Sequence, residues 1–319
     1  MNALTNHATR TAISVTGLRK MYREKVVLDG VDLTIGEGEV FALLGPNGAG
    51  KTTIVRILST LIQPDAGTAT VMRHDLRSEA GAVRGVIGVT GQFSAVDNLL
   101  TGEENLLLMG RLLHLPATER RARTSQLLER FDLVEAARQT PASYSGGMTR
   151  RLDIAMTLMG RPQLIFLDEP TTGLDPRSRQ TMWQLIRDLV AEGVTILLTT
   201  QYLEEADQLA DRIAMLDHGR IVAEGTLEEL KRRLPGAHIR LRFADVASLD
   251  KAARQLDQGT RDDENLVLRI PNEGGIRSLR NVLARLGDDV AVEDLSIQTP
   301  DLDDVFFAVT GNKSKEKTQ

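Results

Sequence analysis

Residues 40–53 read VFALLGPNGAGKTT, and this stretch decides the fold. The five apolar residues Val40–Leu44 are typical of a buried strand, and Ile54–Leu61 has the pattern of a helix. Between them, residues 45–52 fit the phosphate-binding pattern GxxxxGKT, in the strand–loop–helix context that this pattern requires. The sequence therefore predicts a site for a nucleoside triphosphate.

The phosphate loop offers backbone groups and two side chains to a bound phosphate. Its glycines let N–H groups turn inward around the β-phosphate, and the following helix directs its positive end at the same anion. Lys51 would bridge the β- and γ-phosphates, and the Thr52 hydroxyl would ligate Mg²⁺. The predicted nucleotide-binding residues of this loop are Gly45, Pro46, Asn47, Gly48, Ala49, Gly50, Lys51, Thr52 and Thr53.

A second apolar strand ends in two carboxylates, because residues 164–169 read LIFLDE. The carboxyl ends of parallel strands are where α/β proteins bind ligands. Asp168 is therefore expected to ligate Mg²⁺, and Glu169 to polarise an attacking water as the catalytic base. Acidic residues also end strands on solvated edges. The position of this pair, 117 residues after Lys51 and directly before PTTGLDP at residues 170–176, favours the functional interpretation.

Six features in the same order resemble the motifs of ATP-binding-cassette (ABC) ATPases, over roughly residues 13–225. Besides the phosphate loop and the acidic strand end, YSGGM at Tyr144–Met148 resembles the signature loop, and GLDP at residues 173–176 resembles the D-loop. Gln92 matches the Q-loop glutamine, and Tyr22 matches the aromatic residue that stacks on adenine. The match is highly specific because the order and spacing of all the motifs agree.

The resemblance implies a role for each motif. Gln92 would sense the γ-phosphate and act as a Mg²⁺ ligand and catalytic residue. Ser145, Gly146 and Gly147 would bind the nucleotide of the opposite subunit, and Asp175 would line the seam between subunits. Two ATP molecules would then be sandwiched in a head-to-tail homodimer. Taken alone, the Ser-Gly-Gly sequence would indicate only a helix cap.

One position departs from the family pattern. Where most members place a histidine that contacts the γ-phosphate, this chain has Gln201. A glutamine amide still donates a hydrogen bond, but it cannot carry a proton or become cationic. We expect Gln201 to be a catalytic residue with a reduced role beside Glu169. The string TTQYLEEAD at residues 199–207 and the ending QTPDLDDVF at residues 298–306 resemble the daunorubicin/doxorubicin-resistance branch of antibiotic exporters.

Strands that alternate with helices predict an α/β fold with a second small domain. The resemblance implies the P-loop NTPase nucleotide-binding fold, with a mixed sheet core, an N-terminal antiparallel β part and a helical insertion. The alternation restarts after residue 236 and predicts a C-terminal α+β domain. The predicted organisation is a flexible leader (1–12), the nucleotide-binding domain (13–232, insertion about 93–160), a C-terminal regulatory or dimerisation domain (236–310) and a polar tail (311–319).

Composition limits the function classes. The 319 residues are 41% hydrophobic and 26% charged, as in an ordinary globular protein. The net charge of −5 gives no basic footprint for nucleic acid, and zero cysteines exclude disulfides, cysteine-bound zinc and thiol nucleophiles. No apolar run approaches the roughly 18–20 residues that cross a bilayer, and no secretory signal is recognisable. The expected location is peripheral, at the cytoplasmic face of the cell membrane.

These observations predict an ATP-hydrolysing subunit of an ABC exporter, with ATP and Mg²⁺ as cofactors. ATP hydrolysis in the dimer would drive efflux of a hydrophobic, anthracycline-like drug or antibiotic. The substrate would be contacted by a separately encoded membrane permease, docked near Phe93–Leu107. Two alternatives stay open: export of a glycolipid, polysaccharide or lipid, and a nucleotide-gated regulatory module with little hydrolysis. A single phosphate loop without sustained heptads disfavours an ATP-driven machine on ribosomes or chromosomes.

Overall fold

A computed structural model describes residues 10–91, 95–232, 238–263, 265–272, 276–287, 290–298, 302 and 305–306. The chain divides into two compact units, residues 1–227 and residues 228–319. In the part of the chain described, no helix has the length and apolar character that crossing a bilayer demands.

Strands and helices alternate along most of the first unit. Its strands are β1 (Thr11–Tyr22), β2 (Lys25–Gly36), β3 (Val40–Leu44), β4 (Ala66–Val71), β5 (His74–Asp75), β6 (Ile87–Thr90), β7 (Leu164–Asp168), β8 (Thr195–Thr200), β9 (Arg212–Asp217) and β10 (Arg220–Gly225). Its helices are α1 (Lys51–Leu58), α2 (Ala80–Val86), α3 (Gly102–Leu112), α4 (Ala117–Arg130), α5 (Gly146–Leu158), α6 (Pro176–Ala191) and α7 (Leu203–Leu209). Helix α8 (Leu227–Arg232) begins at the last residue of this unit.

The central sheet has the order β10-β9-β3-β8-β7-β6. Its strands pair in parallel except β10, which runs antiparallel to β9. Every residue of β3, β7 and β8 is buried, as expected for parallel strands covered on both faces. The mixed sheet confirms the predicted α/β fold. Since β3, β8 and β7 are neighbours, the loops after their carboxyl ends meet at one edge of the sheet.

A second, antiparallel sheet of order β2-β1-β4-β5 forms the N-terminal part. Its buried residues, such as Ile13 and Leu28, share one core with Phe41 and Leu43 of β3 and with Ile54 of α1. Strand β1 begins two residues before the expected start of the domain at residue 13, because Ala12 is already buried. The Ala12 carbonyl accepts a hydrogen bond from the Met72 amide at 2.6 Å.

Helices α3, α4 and α5 occupy the region of the predicted helical insertion. Thr101 and Glu104 form a capping box at the start of α3: the Thr101 hydroxyl accepts from the Glu104 amide, and the Glu104 carboxylate accepts from the Thr101 amide. A short 3-10 helix, Pro141–Ser143, precedes α5.

Among the described residues, the second unit holds most of α8 and an antiparallel sheet with the strand order β12-β13-β11-β14, together with two longer helices. Its apolar core includes Ile239, Phe243 and Leu249. Leu302 and Val305 are buried, whereas Thr299 and Asp301 lie outside the described residues. The elements are β11 (His238–Phe243), α9 (Val246–Leu256), β12 (Thr260–Asp262), β13 (Val267–Pro271), α10 (Ile276–Arg285) and β14 (Val292–Gln298).

Candidate nucleotide-binding and hydrolysis site

The phosphate loop connects the end of β3 to the start of α1. Gly50, directly before α1, has a φ of 116°, and a Cβ there would lie 2.7 Å from Leu28 Cδ2. Only glycine tolerates this backbone and this close approach. The Gly45 amide donates to the Thr200 carbonyl of β8 at 3.2 Å, so the loop is anchored to the neighbouring strand.

A cleft of about 390 Å³ opens over this loop. It brings together Tyr22 at the end of β1, the phosphate loop and Glu169, which the sequence analysis placed in one site. Gly45 and Ala49, two loop residues predicted to bind nucleotide, are buried and do not line this cleft. The lining residues are Tyr22, Lys25, Val27, Pro46, Asn47, Gly48, Gly50, Lys51, Thr52, Thr53 and Glu169.

The Lys51 ammonium is almost completely buried at the cleft floor. Its Nζ donates to the Gly45 carbonyl at 2.6 Å and to the Pro46 carbonyl at 3.2 Å, and lies 3.7 Å from Glu169 Oε1. Burial lowers the pKa of Lys51, and the charges of Glu169 and Asp168 oppose that shift. The loop thus holds a cation where a phosphate would be bound.

Asp168 and Thr52 present two oxygens to the same point. The Thr52 hydroxyl lies 3.3 Å from Asp168 Oδ1, and the Thr199 hydroxyl of β8 donates to the same carboxylate oxygen. Such hard oxygen ligands fit Mg²⁺, which favours one or two carboxylates together with water and phosphate oxygens. In the described ranges no group of three or more acidic or histidine side chains forms a complete metal cage.

Glu169 follows β7 with a φ of 51°, in the left-handed region that residues other than glycine rarely adopt. Its amide donates to the Thr199 carbonyl at 3.1 Å. The Thr172 hydroxyl donates to its Oε2 at 3.3 Å. This unusual backbone turns the carboxylate into the cleft beside Lys51.

The two predicted glutamines have different outcomes. Gln201 follows β8 at the same sheet edge and is half-buried, but it does not line the described cleft. Gln92 lies outside the described residues. Helix α5 binds Gly91 and Ala95, the described residues nearest to Gln92 in the chain. The Arg150 guanidinium donates to the Gly91 carbonyl at 3.0 Å, and Asp153 accepts from the Ala95 amide at 3.1 Å.

The signature loop begins helix α5 on a second surface. Ser145 caps the helix, with its hydroxyl accepting from the Met148 amide at 3.3 Å. A Cβ on Gly147 would lie 2.7 Å from Ser178 Oγ, which donates to Asp175 at 2.6 Å. These hydrogen bonds from Ser178 lower the pKa of Asp175. The signature surface is a hollow of about 230 Å³ lined by Asp132, Ser145, Gly147, Met148, Arg151, Arg177, Ser178 and Thr181.

The sequence analysis missed three side chains around the site. Thr199 of β8 lies opposite Asp168 of β7. This neighbourhood depends on the order of strands in the sheet, which no local sequence pattern contains. Arg150 and Glu205 lie largely buried in the first unit, next to residues 168–171. The sequence signal for both was a charged residue on the apolar face of an amphipathic helix. Hydrophobic periodicity alone does not show whether such a residue is buried or exposed.

Two known protein families match overlapping parts of the chain. The family "ABC transporter" matches residues 28–172, which hold the phosphate loop, the signature loop and Glu169. A second family, "Osmosensitive K+ channel His kinase sensor domain", matches residues 112–252, so the two matches overlap at residues 112–172. The relatives that span nearly the whole chain decide between the two families.

The Daunorubicin resistance ATP-binding protein DrrA3 of Streptomyces coeruleorubidus is 49% identical, over 96% of this chain and 98% of its own length. The Nod factor export ATP-binding protein I of Sinorhizobium fredii is 37% identical, over 99% of this chain and 90% of its own length. A dimeric post-hydrolysis structure of the ATP-binding cassette MJ0796 with ADP and Pi matches with a TM-score of 0.61 and 29% identity, covering 67% of this chain and 98% of that one. The resemblance found in the sequence is thereby confirmed, and the chain belongs to the ATP-binding subunits of ABC transporters.

Proposed function

We propose that this chain powers the export of a hydrophobic drug or antibiotic. The observation that carries the proposal is the 49% identity to the Daunorubicin resistance protein, which extends through both units of the chain. The lower identity of 37% to the Nod factor exporter keeps a glycolipid, polysaccharide or lipid as the second candidate substrate. The substrate itself would contact the permease.

In the proposed cycle, Lys51 and the N–H groups of the phosphate loop bind the phosphates of ATP. Thr52 and Asp168 offer oxygen ligands to Mg²⁺, which would neutralise phosphate charge. Glu169 orients the attacking water and accepts its proton, supported by its place on the cleft wall 3.7 Å from Lys51. Tyr22 would stack on adenine, and Gln92 and Gln201 would contact the γ-phosphate region.

The proposed working form is a head-to-tail homodimer. The phosphate cleft and the signature surface are two separate hollows of one chain, each with part of the donors that a triphosphate needs. A partner in the opposite orientation would bring its Ser145, Gly146 and Gly147 against the first chain's cleft. A separately encoded permease, with this chain peripheral at the cytoplasmic face of the membrane, would complete the exporter.

Turnover and dimerisation test the ATPase part of the proposal. We expect purified wild-type protein to hydrolyse Mg·ATP, and Glu169→Gln to bind ATP, to lose at least a hundredfold in turnover and to elute as a stable dimer on size exclusion. Equal turnover by the two proteins would refute the role of Glu169. ATP binding without hydrolysis by either, also with the permease present, would instead support a regulatory module.

The substrate class is tested in vesicles that contain the chain with its permease. We expect daunorubicin to stimulate ATP hydrolysis and to be transported in an ATP-dependent manner, and a lipid-linked oligosaccharide to do neither. The reverse result would favour the second candidate. Vesicles with the Glu169→Gln chain serve as the matched control for leakage.

A further inference from the structure

The catalytic segment, residues 168–171, depends on contacts from outside its own strand. Glu169 has left-handed backbone geometry, which costs conformational free energy in a residue with a Cβ. Such a geometry persists only where surrounding contacts over-determine it. The Glu169 amide donates to the Thr199 carbonyl at 3.1 Å and to the Thr199 hydroxyl at 3.2 Å, and the Glu169 carbonyl accepts from the Thr172 amide at 3.3 Å. The carbonyls of the two flanking residues, Asp168 and Pro170, take no part in these bonds.

Arg150 of helix α5 binds the two carbonyls that flank Glu169. Its guanidinium donates to the Asp168 carbonyl at 3.2 Å and to the Pro170 carbonyl at 3.1 Å, so it brackets Glu169. It also donates to Gly91, and Asp153 fixes its orientation with an ion pair of 3.1 Å. A planar guanidinium suits this task because its donors keep a fixed geometry.

Glu205 of helix α7 holds the other end of the segment. The Thr171 hydroxyl donates to Glu205 Oε1 at 2.8 Å, and both side chains are buried. Helix α7 starts directly after Tyr202, so this bond joins the catalytic segment to the chain that carries Gln201. The segment is therefore held at two carbonyls and at one side chain.

Stability does not account for Glu205. Its Oε2 and the indole nitrogen of Trp183 are both buried, and neither has a hydrogen bond of normal geometry among the described residues. Burial raises the pKa of Glu205. A buried acid with an unsatisfied oxygen destabilises a fold, and groups of this kind are concentrated at functional sites.

We infer that Arg150 and Glu205 are positioning residues that clamp residues 168–171 from both ends and thereby aim the Glu169 carboxylate. The inference rests on the proposed role of Glu169 as the base. It assigns a specific function to two residues that would not touch ATP. It also explains how a chain with Gln201 in place of the usual histidine keeps its base oriented: the clamp acts through the backbone and Thr171, independently of residue 201.

The first test is the separation of kcat from KM for Mg·ATP in the full-length chain. We expect Arg150→Gln and Glu205→Ala to lower kcat ten- to a hundredfold with KM within twofold of wild type, because misdirecting a base by about 1 Å has an effect of this size. Glu205→Gln keeps an acceptor oxygen for Thr171 and should retain kcat within twofold.

Arg123→Gln is the matched control. Arg123 is a partly buried arginine that donates to the carbonyls of Leu158 and Met159 at the far end of α5. This variant should lose thermal stability and leave kcat unchanged. If Arg150→Gln behaved like Arg123→Gln, or if Glu205→Gln lost as much kcat as Glu205→Ala, the clamp would be refuted.

Hydrogen exchange provides a readout that does not need turnover. The Glu169 amide should exchange at least tenfold faster in Arg150→Gln and Glu205→Ala than in wild type and in Arg123→Gln. Unchanged exchange would overturn the clamp even where turnover falls. Conversely, full activity of Glu169→Gln would overturn the proposed role of Glu169 and leave the exchange result to decide on the clamp alone.

Discussion

The phosphate cleft and the signature surface would bind the same kind of anion in the proposed cycle, but they are built differently. The cleft stands on the carboxyl edge of the central sheet, where Lys51 and Asp168 are nearly completely buried. The signature surface stands on a helix cap, with Ser145 and Gly146 exposed. A buried, pre-oriented site binds alone, whereas an exposed cap contributes only when a partner excludes water. One surface should therefore govern ATP binding, and the other should govern hydrolysis.

Removing Lys51 should break the cleft most completely. Lys51→Ala deletes the buried cation and leaves Glu169 and Asp168 without the charge that faces them. We expect ATP affinity to be lost and turnover to fall about a thousandfold. Equilibrium binding of ATP and steady-state hydrolysis measure this. Lys25→Ala, at an exposed lysine of the same cleft wall, should lower turnover less than tenfold.

A methyl group in the signature surface should separate hydrolysis from binding. In Gly147→Ala the new Cβ would lie 2.7 Å from Ser178 Oγ, which forces Ser178 away from Asp175. We expect turnover to fall about a hundredfold, the size of one lost anion-binding donor, with ATP affinity of the monomer unchanged.

Gly146→Ala provides the comparison, since its Cβ would meet only Leu174 Cδ2 at 3.8 Å. It should lose less than tenfold in turnover. A parallel loss of ATP affinity and turnover in Gly147→Ala would show that the two surfaces do not act separately.

The rim of the cleft should have a smaller effect than its floor. Tyr22 is 44% exposed, so Tyr22→Ala would remove the proposed adenine contact without disturbing the core. We expect KM for ATP to rise about fivefold, near the lower end for base stacking, with kcat unchanged. Tyr22→Phe keeps the ring and should match wild type. If KM for GTP and ATP changed equally in Tyr22→Ala, stacking without base preference would be supported; no change would exclude stacking.

The smallest effect concerns stability beneath the cleft. Burial raises the pKa of Glu205, so the folded state binds a proton more tightly than the unfolded chain, and the free energy of unfolding falls as pH rises above the ordinary carboxyl range. The side chains of Thr200, Thr171 and Trp183, followed by the charge of Arg179, oppose the shift. Glu205→Gln should remove this slope and raise the free energy of unfolding at pH 7.5 by about 1 kcal/mol.

Urea denaturation between pH 5 and pH 8 measures the slope. The neighbouring Glu204→Gln is the control, because Glu204 is exposed and paired only at the surface with Arg179. It should change the free energy of unfolding by less than about 0.5 kcal/mol at any pH in this range. A steeper loss of stability with pH in Glu205→Gln would contradict the predicted direction.

The sequence predicts those parts of the fold that local pattern determines. The phosphate loop falls where predicted, and strands and helices alternate again after residue 236 as predicted, because motif and alternation are properties of adjacent residues. The pairing of Asp168 with Thr199 depends on which strand lies beside β7, and no local pattern contains that order. The three-residue strand β12 is too short and too polar for a periodic signal.

The site is predictable to the same degree. Residues that would contact phosphate belong to motifs, and Tyr22, Lys51 and Glu169 indeed line one cleft. Arg150 belongs to no motif, and Glu205 stands in the string at residues 199–207 without a role assigned to it; exposure rules place both residue types at the surface. Only the packing of α5 and α7 beneath the catalytic segment brings them to it. The roles of the individual residues stay predictions, and Gln92 lies outside the described residues.

The left-handed backbone of Glu169 has a consequence for how this chain can evolve. At such a φ, glycine relieves strain of about 1–2 kcal/mol, so a Glu169→Gly exchange would give a sturdier protein without a base. Selection for persistence in the cell and selection for turnover therefore favour different residues at this single codon. A lineage released from the need to hydrolyse ATP should drift to glycine here, which would mark, in genomes, the loss of the motor.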